Sequence, residues 1–439
     1  MLETRALKRR DLYLKKLIGF QDTEPVKVIT GIRRCGKSSL LKLMAAHLLE
    51  TGVLPEQIVE MNFESYEFKD FSADDVYGFV KARVLPEQRM YLFFDEIQRI
   101  DAWEDAINAF RVDLNCDIYV TGSNAHLLSS EYSTYLSGRC VEIKMLPLSF
   151  REFLDFHGFT VQNTPSAFGG TRRVILDQDG ERYEPKEAFD AYLRFGGMPG
   201  IADVGLDQEK ALALLDGIYS TVVVRDILER EKRRGQKQIT DPVLLRKIIL
   251  FLADNIGSNI SVSGIGNTLM NEGLLEDGRR KGAPSVHTVQ AYVNALLESY
   301  FFYEIKRFDI KGRELLRTLG KFYIADVGLR NYLLGFRNRD TGHAIENVVY
   351  FELLRRGYDV SVGKIDSSEV DFIATTAEEK LYVQVTESMQ SEDVRKRELA
   401  PLQKIRDNYP KIVLSPDPGP ESSFDGIKSL QLTDWLLDA

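Results

Sequence analysis

The sequence contains few cysteines, and their spacing matches no disulfide or metal-binding pattern. The three that occur, Cys35, Cys116 and Cys140, are widely spaced without a CxxC pair, so neither a disulfide framework nor a zinc ribbon is indicated. The run of about 18 apolar residues that a membrane helix needs is also missing, and the N-terminus, MLETRALKRR, lacks the apolar stretch of a signal peptide. We therefore expect a cytoplasmic protein with no membrane partner.

An excess of positive charge is missing as well. The net charge of -9 at pH 7 argues against a uniformly basic nucleic-acid binder. The charge is uneven, however, because residues 225–321 hold 17 Lys plus Arg and 12 Asp plus Glu, whereas the rest of the chain holds 40 and 54. Any contact with double-stranded DNA is therefore expected within residues 236–321, although solvated loop charges would explain the same counts.

The most informative stretch is GIRRCGKSS, Gly31–Ser39, which matches the phosphate-binding pattern G-x-x-x-x-G-K-[ST]. It lies between an apolar run at Val26–Thr30 and a helical run at Leu40–Leu49. Glycine lets the backbone curl around phosphate oxygens, the lysine reaches the β and γ phosphates, and the serine hydroxyl binds Mg2+. The residues expected to bind the nucleotide in this loop are Gly31, Arg34, Cys35, Gly36, Lys37, Ser38 and Ser39, with Ser38 also on the metal.

Two later apolar runs end in polar residues that complete such a site. The run Tyr91–Phe94 ends in Asp95 and Glu96, as a buried parallel strand would if it delivered acids to the carboxyl edge of a sheet. We expect Asp95 to hold Mg2+ through water and Glu96 to act as general base on the attacking water. A third run ends at Ser123 and Asn124. Either residue orients the water or senses the γ phosphate, or Asn124 merely caps the next helix.

Taken together, four segments resemble the prokaryotic AAA-type ATPases of the archaeal ATPase group, relatives of the STAND signalling NTPases. They are GIRRCGKSSLL, YLFFDEIQRI, VTGSNAHLL and LSGRCVEIKMLPLSFREFL. GGMPG, YSTVVVRDILER and the segment from Gly342 are similar to the domain that usually follows this ATPase in bacteria, so the resemblance covers nearly the whole chain. It implies ATP rather than GTP, and no N-K-x-D base reader opposes that.

The resemblance also implies two further roles. Pro199, within Gly197-Met198-Pro199, matches the element with which STAND-like lids approach the adenine, while the alternative is a Gly-Pro helix start. Arg139 would act as an arginine finger, in cis or from a neighbouring subunit, and Arg225 is a weaker candidate. For both arginines an ordinary structural salt bridge remains an equal alternative.

The middle of the chain has the pattern of a winged helix-turn-helix. Three helix-like segments are followed by a strand-like pair: Ile239–Asn255, Ser261–Asn271, Ser285–Ser299, Tyr300–Arg307 and Glu314–Ile324. If this module binds DNA, the third helix would face the major groove with His287, Thr288, Gln290 and Asn294. Winged helices in this group of ATPases often serve instead as internal packing modules.

The last hundred residues give the αβββαβ order of a restriction-endonuclease-like fold. Glu346, Asp371 and Gln384-x-Thr386 align with the E, D and E-x-K metal site of those nucleases, whose chemistry needs two acids and usually a lysine. Because an amide and a hydroxyl cannot supply that charge, the site is expected to be inactive. Glu387 lies one residue late and would point to the opposite face of the strand.

We therefore predict an α/β protein with a P-loop AAA-type core at residues 1–160, an insertion and helical lid at 161–235, a winged helix at 236–330 and an inactive nuclease-like domain at 340–439. Its expected function is a slow Mg2+-ATP switch that acts on DNA or a DNA-associated partner. Two alternatives remain open: a signalling or interaction ATPase with no nucleic-acid contact, and an ATP-gated nuclease. Whether the chain forms a homo-oligomer also stays open.

Overall fold

A computed structural model describes residues 7–125, 138–165, 171–229, 239–271, 284–337, 340–419 and 423–438. The chain folds as two compact units. The first contains the described residues up to 146 together with 298–300, and the second contains the others. Among the described residues, no helix combines the length and apolar character that crossing a membrane requires.

The first unit is built on a five-stranded sheet with the order β2-β3-β4-β1-β5, in which every neighbouring pair runs parallel. Its strands are β1 (Val26–Thr30), β2 (Ile58–Asn62), β3 (Met90–Asp95), β4 (Cys116–Gly122) and β5 (Cys140–Lys144). The apolar runs predicted as strands are β1, β3 and β4, each largely buried, as central strands of a parallel sheet should be. The edge strands β2 and β5 are half polar, which explains why the apolar pattern did not reveal them.

In the described part of the first unit, four helices surround this sheet: α1 (Asp11–Gly19), α2 (Lys37–Glu50), α3 (Ala73–Lys81) and α4 (Trp103–Asp113). Short 3-10 turns occupy Pro55–Gln57, Tyr66–Phe68 and Ile97–Arg99. The core between α4 and the sheet is aromatic, and the rings of Phe94 and Phe110 stack with centroids 5.7 Å apart. This packing fixes the end of β3, where the two predicted acids lie.

The second unit begins with a helix and a small antiparallel sheet. It starts at residue 147, earlier than the predicted boundary after residue 160, because α5 (Phe150–Phe156) packs on α6 (Pro185–Phe195), with Phe150 and Phe189 in edge contact. The sheet comprises β6 (Thr160–Pro165), β7 (Thr171–Leu176) and β8 (Arg182–Tyr183). The predicted helical segment continues through α7 (Ile201–Val204), α8 (Gln208–Thr221) and a π-helix at Val222–Glu229.

Three helices and a hairpin follow, as the sequence predicts. They are α9 (Pro242–Asp254), α10 (Val262–Asn271), α11 (Val286–Glu298), β10 (Phe302–Asp309) and β11 (Glu314–Ile324), with the short strand β9 (Asn259–Ile260) between the first two helices. β11 pairs antiparallel with both β10 and β9. Ser285 caps α11, since its Oγ accepts a hydrogen bond from the Thr288 amide at 3.1 Å.

The C-terminal elements have the predicted αβββαβ order: α12 (Val327–Leu334) leads into α13 (Thr341–Arg355), β12 (Asp359–Ile365), β13 (Ser368–Thr375), β14 (Lys380–Val385), α14 (Glu392–Gln403) and β15 (Lys411–Ser415). The chain continues with β16 (Ser423–Phe424), β17 (Ile427–Gln431) and α15 (Leu432–Leu437), which were not predicted. β10 pairs parallel with β12, so the hairpin and the C-terminal strands form one nine-stranded sheet. The predicted boundary between residues 330 and 340 therefore does not separate two sheets.

A buried carboxyl organises the glycine-rich segment after α6. Asp326 Oδ2 accepts a hydrogen bond from the Gly197 amide at 2.5 Å, and Oδ1 accepts one from Leu329 at 3.1 Å. Gly196 has a φ of 79°, and a Cβ there would lie 2.3 Å from Asp326 Oδ1, so only glycine fits. Burial raises the pKa of Asp326 to about 6 although these amide bonds oppose the shift.

This raised pKa predicts a pH-dependent stability. Because the folded state holds the Asp326 proton more tightly than the unfolded chain, the stabilisation is present below the unfolded pKa, near 3.8, and is lost as the pH rises through about 6. It amounts to at most about 3 kcal/mol, at about 1.4 kcal/mol per pKa unit. The melting temperature of the wild type relative to Asp326→Asn should therefore be higher at pH 5 than at pH 7.5. Asp179→Asn, at an exposed position, is the control, and an equal difference at both pH values would contradict the account.

Candidate functional site

The phosphate-binding loop joins β1 to α2 and depends on its two glycines. Gly31 and Gly36 have φ values of 141° and 106°, which residues with a side chain rarely adopt. A Cβ on Gly31 would lie 2.1 Å from the Met145 carbonyl oxygen. Arg34 also adopts a left-handed conformation, with φ 64°. The loop is thus a tight turn that ends directly on the first residue of α2.

Lys37 is that first residue, and its side chain stays on the loop. It is only 4% exposed, and its Nζ donates to the carbonyl oxygens of Gly31 at 3.0 Å and Ile32 at 3.3 Å. The ammonium is therefore held at the mouth of the turn, where the sequence pattern places the phosphates.

Asp95 lies at the end of β3, in contact with residues from two other segments. Thr121 Oγ1, from the adjacent strand β4, donates to Asp95 Oδ1 at 2.5 Å and accepts from the Glu96 amide at 2.9 Å. The Ser38 hydroxyl lies near Asp95 and lowers the pKa of that carboxyl. Burial raises the pKa of Asp95, whereas the hydroxyls of Thr121 and Ser38 act in the opposite direction. The two predicted metal ligands, Ser38 and Asp95, therefore lie near each other.

The side chain of Glu96, the residue after β3, contacts a residue just beyond the end of β4. The backbone of Glu96 is left-handed, with φ 57°, and its Oε2 accepts hydrogen bonds from Gln98 Nε2 at 2.6 Å and from Ser123 Oγ at 3.4 Å. Asn124, the next residue, is also buried. The residues predicted at the ends of three different strands thus come together at one edge of the sheet.

Arg10 supports the loop from behind and was not found by sequence reasoning. Its guanidinium donates to the carbonyl oxygens of Cys35 at 3.0 Å and Leu146 at 2.8 Å. Cys35 is fully buried, and burial raises the pKa of its thiol. Cys35 is therefore a packed loop residue rather than an accessible nucleophile.

The two residues predicted as arginine fingers are Arg139 and Arg225. Arg139 immediately precedes β5, and its carbonyl accepts from Val26, the first residue of β1, at 2.9 Å. Arg139 therefore lies at the amino edge of the sheet, and the length of β1, about 16 Å, separates it from the phosphate loop that follows Thr30. The prediction that Arg139 acts as an arginine finger in cis is therefore wrong. The side chain of Arg225 lies outside those described. Pro199 belongs to the second unit, where the neighbouring glycines pack as set out above.

The residues aligned with a nuclease centre also converge, in the second unit. Glu346, Asp371 and Gln384 line a cavity of about 510 Å³. A lysine from β11 enters this group: Lys321 Nζ lies 2.9 Å from Glu346, 2.9 Å from Glu369 and 3.8 Å from Asp371. Burial would lower the pKa of Lys321, but the three carboxylates together raise it. Lys321 is thus a buried permanent cation.

These residues do not fit a nuclease metal centre. Lys321 Nζ is a single cation among three carboxylates, in the place that a metal would need, and the Gln384 amide is engaged with Glu398, with Nε2 donating at 3.0 Å. No cluster of three or more potential metal-ligating His, Cys, Asp or Glu side chains occurs in the described part of the chain. Glu387, expected on the opposite face, lines the same cavity because β14 ends at Val385 and the strand alternation ends with it.

The predicted DNA-facing helix, α11, presents polar side chains on an exposed face. His287, Gln290 and Asn294 are exposed and Thr288 is half-buried, and Gln290 Nε2 donates to Asn294 Oδ1 at 2.8 Å. The basic residues Arg279, Arg280 and Lys281 lie outside the described residues.

Comparison with known proteins gives the first unit a family. Residues 23–154 match the model of an AAA domain, and residues 186–340 match that of a domain of unknown function, DUF8612. A Haemophilus influenzae protein described as uncharacterised is 38% identical over 99% of this chain and 100% of its own length. A second, from Methanocaldococcus jannaschii, is 30% identical over 86% of this chain and 78% of its own length.

Among solved structures, a Walker-type ATPase of Pyrococcus abyssi is 16% identical and covers 74% of this chain and 95% of its own. Its TM-score with this chain is 0.47.

The contacts of Thr121 predict a positioning role. Thr121→Val keeps the shape but removes the donor to Asp95 and the acceptor for Glu96, so we expect the kcat for Mg2+-ATP hydrolysis to fall about tenfold or more, with little change in the Kd for ATP. Thr121→Ser, which keeps the hydroxyl, is the matched control. Wild-type kcat in the valine variant would show that the acids need no support from β4.

Proposed function

Because the chain belongs to the same family as its full-length Haemophilus influenzae relative and carries an AAA-type P-loop ATPase domain, we propose that it is a Mg2+-dependent ATPase. It works as a slow molecular switch on DNA or on a DNA-associated partner. Loss of the γ phosphate would be coupled to movement of the distal domains. ATP as the ligand favours the cytoplasm, where ATP is available, as the site of action.

The observation that supports this most strongly is that Ser38, in the phosphate loop, lies near Asp95, whose carboxylate Thr121 holds at the end of β3. A hydroxyl and a carboxylate at this place are the pair that would hold Mg2+, which would neutralise charge on the phosphates of ATP. Ser39 and the loop amides would contact phosphate oxygens, and Lys37 would exchange its two carbonyl bonds for the β and γ phosphates.

Glu96 is the proposed general base. It lies one residue beyond Asp95, and its carboxylate is oriented by Gln98 and Ser123 rather than paired with a lysine or arginine in any contact described for it. It would take the proton of the attacking water while Asn124 orients that water or senses the γ phosphate. Gln98 thus joins Ser123 as a positioning residue.

Two parts of the proposal depend on residues away from this edge. Pro199 is proposed to approach the adenine. Arg139, at the amino edge of the sheet, would stabilise the transferring phosphoryl only from a neighbouring subunit, which requires a homo-oligomer. A protein partner that supplies an arginine would meet the same need.

The DNA-directed half of the proposal rests on the middle of the chain. The order α9-β9-α10-α11-β10-β11, with β9 paired to β11, suits a winged helix, and the exposed polar face of α11 suits a major groove. The alternative is a signalling or interaction ATPase without nucleic-acid contact. It is favoured by the pairing of β10 with β12, which joins the wing to the C-terminal sheet.

Variants of the loop and of the base should separate binding from turnover. Lys37→Ala should abolish ATP binding, because two phosphate charges are left uncompensated. Glu96→Gln should retain ATP and lose turnover, because an amide keeps the shape but cannot take a proton. Calorimetry and steady-state hydrolysis measure the two effects. Unchanged affinity in the first variant, or wild-type turnover in the second, contradicts the assignment.

The carboxylate cluster around Lys321 predicts that the C-terminal domain does not cleave DNA, against the alternative of an ATP-gated nuclease. Purified protein should leave supercoiled plasmid intact with Mg2+ or Mn2+, with and without ATP. Asp371→Ala is the matched control for contaminating nuclease. Nicking by the wild type that disappears in this variant would make the gated nuclease the leading function.

A further inference from the structure

A basic cleft lies in the second unit, at the end of the nine-stranded sheet where the β10–β11 turn meets the residues that follow α14. Its volume is about 1020 Å³. Both charged and aromatic side chains line it, and none of them belongs to the phosphate loop or to the Lys321 cluster. The cleft is therefore a separate feature, with no part in the proposed ATPase chemistry.

The cleft is positive although the protein is negative. Five cations line it against two carboxylates, Asp366 and Asp407, whereas the whole chain carries -9. The cations are Lys311, Arg313, Lys380, Lys404 and Arg406. Such a local reversal of sign concentrates anions from solution at the cleft.

Several of these cations lack a full counter-charge. Lys311 pairs with Asp366 at 2.6 Å. Lys380 reaches Asp407 only at 3.9 Å, and Lys411 shares that carboxylate at 3.6 Å.

Within the described part of the chain, Arg313 and Arg406 form no ion pair, and both are exposed at the cleft. Two guanidiniums are thus available to an incoming anion.

Aromatic rings surround the cation at the centre of the cleft. Lys380 Nζ lies 4.7 Å from the ring centroid of Tyr382, 5.2 Å from Tyr409 and 6.0 Å from Phe308. Burial lowers the pKa of Lys380, Asp407 raises it, and the charge of Arg313 lowers it, so the negative charge of a bound anion would favour the protonated lysine. Tyr409 is 49% exposed, which leaves part of its ring open to solvent.

We propose that this cleft binds an unpaired nucleotide of a single strand, with the base stacked on Tyr409 and its phosphates on Arg313 and Arg406. An open aromatic ring beside free guanidiniums is the combination that single-strand binding sites use, whereas a small inorganic anion would leave the ring unused. A base held in a duplex cannot offer its face to Tyr409. Binding here would place a DNA-directed switch on an opened strand, and only this last point rests on the proposed function.

The test is fluorescence anisotropy of the full-length protein with labelled oligo(dT) at several salt concentrations. Arg313→Ala/Arg406→Ala should weaken binding at least about tenfold and flatten the salt dependence, with the slope of log affinity against log salt falling by about 1.4, or 0.7 per lost phosphate contact. Tyr409→Ala should weaken binding about tenfold with the slope unchanged, and Tyr409→Phe should restore it. Lys15→Ala/Lys42→Ala, which removes two exposed charges from the first unit, is the charge-matched control.

The remaining arms identify the source of the nucleotide and separate this inference from the ATPase. Competition by free AMP would show that a mononucleotide suffices, and intact oligo(dT) binding despite AMP would assign the strand. Lys37→Ala should still bind oligo(dT). Failure of the ATPase proposal can therefore be distinguished from failure of the proposal for the cleft. No oligo(dT) binding by the wild type, or equal losses in the double-arginine variant and its control, would overturn the inference.

Discussion

The hydrogen bonds of Thr121 join the parts of the nucleotide site. This one hydroxyl donates to the Asp95 carboxylate and accepts from the Glu96 amide, and Asp95 lies near Ser38 at the start of α2. The parallel register places all three at the same edge, since Thr30 lies beside Gly122 and Phe94 beside Val120. A carboxylate buried there is tolerable because the Thr121 hydroxyl donates a hydrogen bond to it.

The second unit also brings carboxylates together, but the group that contacts them is different. Glu346, on α13, is buried and Asp371, on β13, is partly buried, and their neighbour is the ammonium of Lys321. The ammonium of Lys321 lies among these carboxylates, whereas the group that hydrogen-bonds Asp95 is the neutral Thr121 hydroxyl. The carboxylates thus have a charged partner in the second unit and a neutral partner in the first.

Elements that contiguous residues specify can be predicted from the sequence. Contacts that arise only when distant strands pair cannot. The phosphate loop, β3 and β4 were predicted because a contiguous motif and buried apolar runs specify them. Lys321 was missed, since its partner Glu346 is 25 residues away and only strand pairing brings β11 there. The sequence places Arg139 after the third apolar strand, at the carboxyl edge of the sheet, because the half-polar β5 has no apolar pattern that reveals it. In the structure Arg139 directly precedes β5 and lies at the amino edge.

The central claim is that the edge formed by Ser38, Asp95 and Glu96 holds Mg2+-ATP. The most direct measurement is a crystal structure of the Glu96→Gln protein grown with ATP and Mg2+. We expect the triphosphate in the loop of Gly31–Ser39, with the metal on the Ser38 hydroxyl and, through water, on Asp95. A nucleotide bound elsewhere, or a metal that lies on Glu346 and Asp371 while the loop stays empty, would contradict the account.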